Sequence, residues 1–163
     1  MVPAMAIVTS AVQSRLRGRR HTSGLLDSLS FGSYGNAFKP TRTKFDWLSR
    51  DPEEVDKYVA DPLCGNVFTA GFYADLLSGL AYIHDPKTSA LVPKNLPIHL
   101  IAGSMDPVGA QSKGVEQVAG QYRKAGVKEV TTHYYIGARH ELLNETNRDE
   151  VTADIIAWLD AHL

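Results

Sequence analysis

The sequence predicts an α/β fold in two parts, a helical first part and a βαβα second part, and three observations carry that prediction. Two strand-like runs, "IHLIAG" (residues 98–103) and "EVTTHYY" (residues 129–135), are each followed by a segment with helical periodicity. All five phenylalanines, Phe31, Phe38, Phe45, Phe68 and Phe72, fall in the first half among short helical patterns and turn residues. The chain has 163 residues, 44% of them hydrophobic and 21% charged, with a net charge of -1, which suits one medium domain with a buried core or a piece of a larger one.

Taken in order, Met5 to Leu16 carries apolar residues at helical spacing and is closed by Gly18. The overlapping basic cluster "RLRGRR", residues 15–20, reads as a solvated helix end. Residues 30–47, "SFGSYGNAFKPTRTKFDW", hold glycines, a proline and aromatics without a sustained period, so an ordered loop is expected. At "RDPEEVDKYVA" a helix starts, with Asp51 as cap, Pro52 at its first position and Glu53 and Glu54 in its first turn. Residues 69–83 form a second helix with Phe72, Leu76, Leu77, Leu80 and Ile83 on one face. A polar, proline-punctuated linker leads into "IHLIAG", an apolar run expected to be a fully buried parallel strand. A helix closed by Gly126 follows, then the strand 129–135. Last comes a helix with acidic residues in its first turn and Val151, Ile155, Ile156 and Leu159 at helical spacing. Two parallel strands are too few to stand alone, so this half is expected to be the edge of a larger sheet.

Near-neutral charge gives no field favouring nucleic acid or an anionic membrane surface. Cys64 is the single cysteine, so an internal disulfide is excluded. The N-terminal apolar stretch is short and its positive charges follow it, the reverse of a secretory signal. It is also too short for an integral membrane segment, and a soluble, cytoplasmic chain is expected.

Asp106 in "IAGSMDPVG" lies just after the first strand, and His140 in "IGARHELLNE" just after the second. Sites of open α/β sheets form at the carboxyl ends of strands, so these loops are expected to bring the two side chains together. An aspartate bonded to one imidazole nitrogen fixes the tautomer and leaves the other to take a proton. The bland readings are a turn-forming aspartate before proline and a histidine capping the final helix. A zinc site is not expected, since the metalloprotease pattern H-E-x-x-H needs histidine where Asn144 stands, and His21, His84, His99, His133 and His162 show no ligand spacing. His99 and His133 are expected to be structural.

"LIAGSMDPVG", then "YIGARHELLNE", then a helix ending "IIAWL" resembles the C-terminal part of the α/β-hydrolase superfamily, in particular the monoacylglycerol lipase and lysophospholipase-like (serine aminopeptidase-like) group. "LSFGSYGNAF", "FDWLSRDPEEVDKYVADPLCG" and "FTAGFYADLL" resemble that group's helical cap. The resemblance implies a cap over residues 1–85, a linker over 86–97 and the last two strands and their helices of the core over 98–163. It makes Asp106 the triad acid and His140 the triad base. The group's nucleophile sits on a G-x-S-x-G elbow ahead of the cap, and no such elbow is found here: Ser33 in "FGSYG" has Phe31 where glycine is needed, and Ser104 in "AGSMD" fails at the later position. The oxyanion donors are likewise expected ahead of residue 1.

Family analogy also points to Phe68, Phe72 and Val108 as substrate contacts, although a small core of a cap is the simpler reading of the aromatics. The expected function is therefore a C-terminal fragment of a serine ester hydrolase, inactive alone. It would act on lysophospholipids, monoacylglycerols or small esters once completed, and would need no metal or organic cofactor. Expected partners are a lipid-like or ester substrate and either an N-terminal half or a second copy paired through an exposed strand edge. The alternative is a non-catalytic binding or self-associating module of the same fold.

Overall fold

The computed structural model describes residues 4–163 and the side chains from Val8 on; the first residues of the expected cap, and Met5 as the start of its apolar spacing, lie outside the described side chains. In chain order the elements are α1 (Ala4–Arg17), α2 (Gly24–Phe31), a 3-10 turn (Tyr34–Phe38), α3 (Pro52–Ala60), α4 (Ala70–Ile83), α5 (Pro86–Ser89), β1 (Ile98–Gly103), α6 (Lys113–Lys124), β2 (Val130–Tyr135), a 3-10 turn (Leu142–Asn144) and α7 (Arg148–Asp160). They fall into two compact units, one of residues up to Ser33 with Gly65–Val92, the other of Tyr34–Cys64 with Pro93–Leu163. These units do not follow the sequence boundaries at 85 and 98, because residues 34–64 group with the C-terminal part of the chain. Which residues act as a cap is a separate question from this division.

In the first unit, α1 packs against α4. Gly18 takes a φ of +87°, the left-handed conformation that ends a helix without a Cβ penalty. Ser23 caps α2: its Oγ accepts from the Leu26 N–H at 3.2 Å and donates to Gln13 Oε1 at 2.6 Å. Thr69 caps α4 in the same way, accepting from the Phe72 N–H at 3.2 Å. Leu26, Ala70 and Tyr73 form the buried core, with Phe31 packed on it. The Tyr73 hydroxyl donates to Asp27 at 3.1 Å, and burial together with that carboxylate pushes its pKa up. Gly71 is required because a Cβ there would stand 2.8 Å from the Arg19 carbonyl oxygen.

The apolar face expected on α4 is not its buried face. Phe72, Leu76 and Ile83 are exposed and Leu77 and Leu80 half-buried, while Ala70, Gly71 and Tyr73 are buried. Periodicity finds an apolar stripe but does not say which stripe meets a neighbour; α4 packs through its first turn, where small residues allow close approach.

In the second unit β1 and β2 pair in parallel, from Ile98 opposite Val130 to Gly103 opposite Tyr135, with α6 between them in sequence. The expected burial of β1 is only partly met: Ala102 and Gly103 are buried but Ile98–Ile101 are half-buried, because β1 has one strand neighbour among the described residues. Asp51 caps α3 as expected, accepting from the Glu53 N–H at 3.0 Å with Pro52 next to it. Tyr135, Ala138, Leu142 and Val151 form the core, with Ile101 and Ile155 against it. Of the apolar residues expected to line α7, Ile156 and Leu159 are exposed. The Tyr135 hydroxyl donates to Asp154 at 3.1 Å, and burial and that carboxylate push its pKa up to about 12. Among the described residues no helix is long and apolar enough to cross a membrane.

Candidate active site

The site is built where β1 and β2 end side by side. After Gly103 the chain turns, with the Ser104 N–H donating to the Tyr135 carbonyl and the Met105 N–H to the Ala138 carbonyl, each at 3.0 Å. The two strand-end loops thus share a backbone ladder. A Cβ on Gly103 would overlap the carbonyl oxygens of Ala138 and Arg139, so the approach depends on glycine. Ser104 Oγ accepts from the Gly137 N–H at 2.8 Å, adding a side-chain tie between the loops. Gly137, at a φ of +76°, makes the turn that sends the chain to His140.

Asp106 is 7% exposed. Its Oδ1 accepts from the Val108 N–H at 2.8 Å, the turn chemistry of an aspartate before proline, and from His140 Nδ1 at 3.2 Å. One carboxylate oxygen thus both forms the turn and reaches the His140 ring. His140 is not a helix cap, since Asn147 stands at the N-cap of α7. Its ring lies 5.3 Å from that of Trp47, which packs edge-on against Tyr34 at 5.0 Å. Burial first, and then the Asp106 charge, raise the Tyr34 pKa.

The bond to Asp106 holds the His140 pKa above that of an ordinary histidine, with partial burial opposing it and the charges of Asp106 and Glu141 adding to it. An imidazole that donates from Nδ1 to a carboxylate presents Nε2 as its acceptor when neutral. This pair can take a proton from a hydroxyl and return it to a leaving group. The 37% exposure of the His140 side chain leaves it reachable.

The remaining candidates are placed differently. Val108 is exposed, and its main chain, rather than its side chain, engages Asp106. Phe68 and Phe72 belong to the first unit, stack on one another at 4.2 Å and are about 40% exposed (42% and 40%). Ser33 sits in a turn after α2, and Ser104 in a turn after β1 where its Oγ is engaged by Gly137, so neither joins a strand to a helix. His99 bonds Thr131 at 2.8 Å and stacks on Trp158, while His133 stacks on Tyr135. No group of three or more histidine, cysteine or acidic residues that could hold a metal ion occurs among the described residues.

Sequence reasoning missed two residues at this site. Trp47 was one tryptophan in a loop, with no periodicity to mark it. Glu145 is a fully buried carboxylate joining the His140 loop to Arg50.

Comparison with known proteins gives the family and the fold. Residues 2–147 match the family "Serine aminopeptidase, S33". A monoacylglycerol lipase of Mycolicibacterium smegmatis is 30% identical over 118 residues, covering 72% of this chain and 40% of that protein. The structure of a thermostable carboxyl esterase from Bacillus coagulans, in complex with glycerol, superposes with a TM-score of 0.88 at 25% identity over 97% of this chain and 52% of that one. An open-form lipase superposes at 0.78 with 25% identity, over 98% of this chain and 51% of that one. The chain thus spans about half the length, or less, of the relatives it matches. Its sequence and its partial α/β fold place it in one group: the chain belongs to the serine aminopeptidase S33 family of α/β-hydrolases.

Proposed function

We propose that this chain supplies the acid, Asp106, and the general base, His140, of a serine carboxylic-ester hydrolase. In this reading the nucleophilic serine and its oxyanion donors come from residues outside these 163. The observation that carries it is the His140 Nδ1 to Asp106 Oδ1 contact of 3.2 Å at the ends of two parallel strands. Monoacylglycerols, lysophospholipids or small esters are the substrates we assign; the names of the relatives support the first and the last, and the sequence resemblance the second. Serine would attack the ester carbonyl while His140 takes its proton; His140 then protonates the leaving alcohol, and water releases the acid from the acyl-enzyme. Asp106 stabilises the imidazolium between those steps. Phe68, Phe72 and Val108 are assigned to the acyl or alcohol portion, supported by their exposure. We assign no metal or organic cofactor, because acyl transfer by a triad needs none.

The test is turnover of p-nitrophenyl esters and of a monoacylglycerol. The 163-residue chain alone is expected to be inert. Supplied with a family N-terminal half that bears the serine elbow, it is expected to hydrolyse both, with a loss on the order of 10⁶-fold for His140→Ala. Turnover by the chain alone that His140→Ala abolishes would refute the reading.

A further inference from the structure

Glu145 is a carboxylate with no solvent exposure, five residues beyond His140, and its two oxygens accept four hydrogen bonds. Oε1 accepts from the Arg139 N–H at 2.8 Å and from the Arg50 N–H at 3.1 Å. Oε2 accepts from Arg50 Nε at 2.8 Å and from the Thr146 N–H at 3.0 Å. One carboxylate oxygen therefore joins the N–H of Arg139, the residue before His140, to the N–H of Arg50, which lies 95 positions before Glu145. On the other side of the histidine, the Glu141 N–H donates to the Leu48 carbonyl at 2.8 Å. The main chain on both sides of His140 is thus tied to residues 48–50 or to the carboxylate that binds them.

The same segment carries Trp47, on which the His140 ring rests. Arg139 reinforces it, donating from Nη1 to the Asp46 carbonyl and, at 3.0 Å, to the Ser49 carbonyl. Ser49 Oγ donates to the Asn144 carbonyl at 2.7 Å. We propose that Glu145 is a positioning residue for His140: its buried carboxylate locks the histidine loop to the Trp47 segment and so holds the imidazole against Asp106. The proposal rests on reading Asp106 and His140 as acid and base.

Chemistry makes the requirement specific. A glutamine at this position keeps the shape but replaces one acceptor oxygen by an amide that donates, facing donors on Arg50 and Thr146 or on Arg50 and Arg139. An aspartate keeps the charge but is one methylene too short to reach both sides of the clamp. The groups whose charge bears on His140 are Asp106, hydrogen-bonded to it, and its neighbour Glu141, and neither is altered by these changes.

The experiment follows the His140 ring nitrogens by NMR across pH in the nitrogen-15-labelled full chain, with amide spectra as the check of folding. Asp106→Asn is expected to lower the His140 pKa by about one unit, and no change there would sink the acid–base reading itself. With that shift in place, Glu145→Gln and Glu145→Asp are each expected to lower it by about half a unit, because the imidazole loses its carboxylate partner. A fall with glutamine but not with aspartate would make Glu145 a remote charge and overturn the proposal. An unchanged titration in both variants, with reduced thermal stability, would make it a structural carboxylate only and overturn it equally. If the glutamine variant does not fold, the aspartate variant decides.

Discussion

A 3.2 Å contact between His140 Nδ1 and Asp106 Oδ1 sets two opposite pH dependences. The folded-state pKa of His140 is raised, so its contribution to stability is complete below the ordinary histidine value and is lost as pH rises through the folded one. Catalysis runs the other way, since the base must be neutral. In a completed hydrolase, kcat/KM is expected to rise with pH along a single ionisation above the usual histidine range, and Asp106→Asn to move that limb down by about one unit. A pH–rate profile whose limb does not move in the variant would contradict the pairing. Both residues were legible in the sequence because each follows a strand-like run and a loop of small residues, a local signal. Trp47 was not, because its contact with the imidazole spans more than ninety positions and leaves no periodic trace.

Between elements, the ties are concentrated where β1, β2 and the histidine loop meet. Glu145 loses its water entirely, which raises its pKa, yet bonds from Arg139, Arg50 and Thr146 outweigh burial and hold it below the usual carboxylate range. Its contribution is therefore present above the ordinary carboxylate pKa and lost as pH falls through the lowered folded value. Glu145→Ala leaves four donors unanswered and is expected to cost about 3 kcal/mol, at the lower end for a buried pair because Arg50 is 32% exposed. Urea unfolding checks this, and a cost below about 1 kcal/mol would contradict it. Gly103→Ala is expected to destabilise by about 2 kcal/mol, since the added methyl meets backbone rather than a movable side chain. Sequence reasoning placed most helices and both strands, and named the N-cap of α3, but the apolar stripe it found on α4 does not mark the buried side. Phe72, Leu76 and Ile83 satisfy the helical period, yet it is Tyr73, one position off that stripe, that is buried. Burial is decided by partners that a single segment does not encode.

At the scale of the whole chain, two parallel strands have an unpaired edge on each side among the described residues. Parallel strands are ordinarily covered and flanked, and open edges invite pairing. The chain alone is therefore expected to self-associate with concentration, a mass dependence that sedimentation reads directly; a monodisperse monomer up to high concentration would contradict it. The need for neighbours was legible from the count of strand-like runs, whereas the grouping of residues 34–64 with the C-terminal part was not, because it rests on Arg139, Ser49, Arg50 and Glu145 contacts made at long range. The central claim is that this chain holds the acid and the base of a serine hydrolase whose nucleophile lies elsewhere. Treating the purified chain with a fluorophosphonate probe and mapping any modified peptide by mass tests it most directly. No serine is expected to be labelled. Labelling at Ser33 or Ser104 that disappears in His140→Ala would show a nucleophile within these residues and contradict the account.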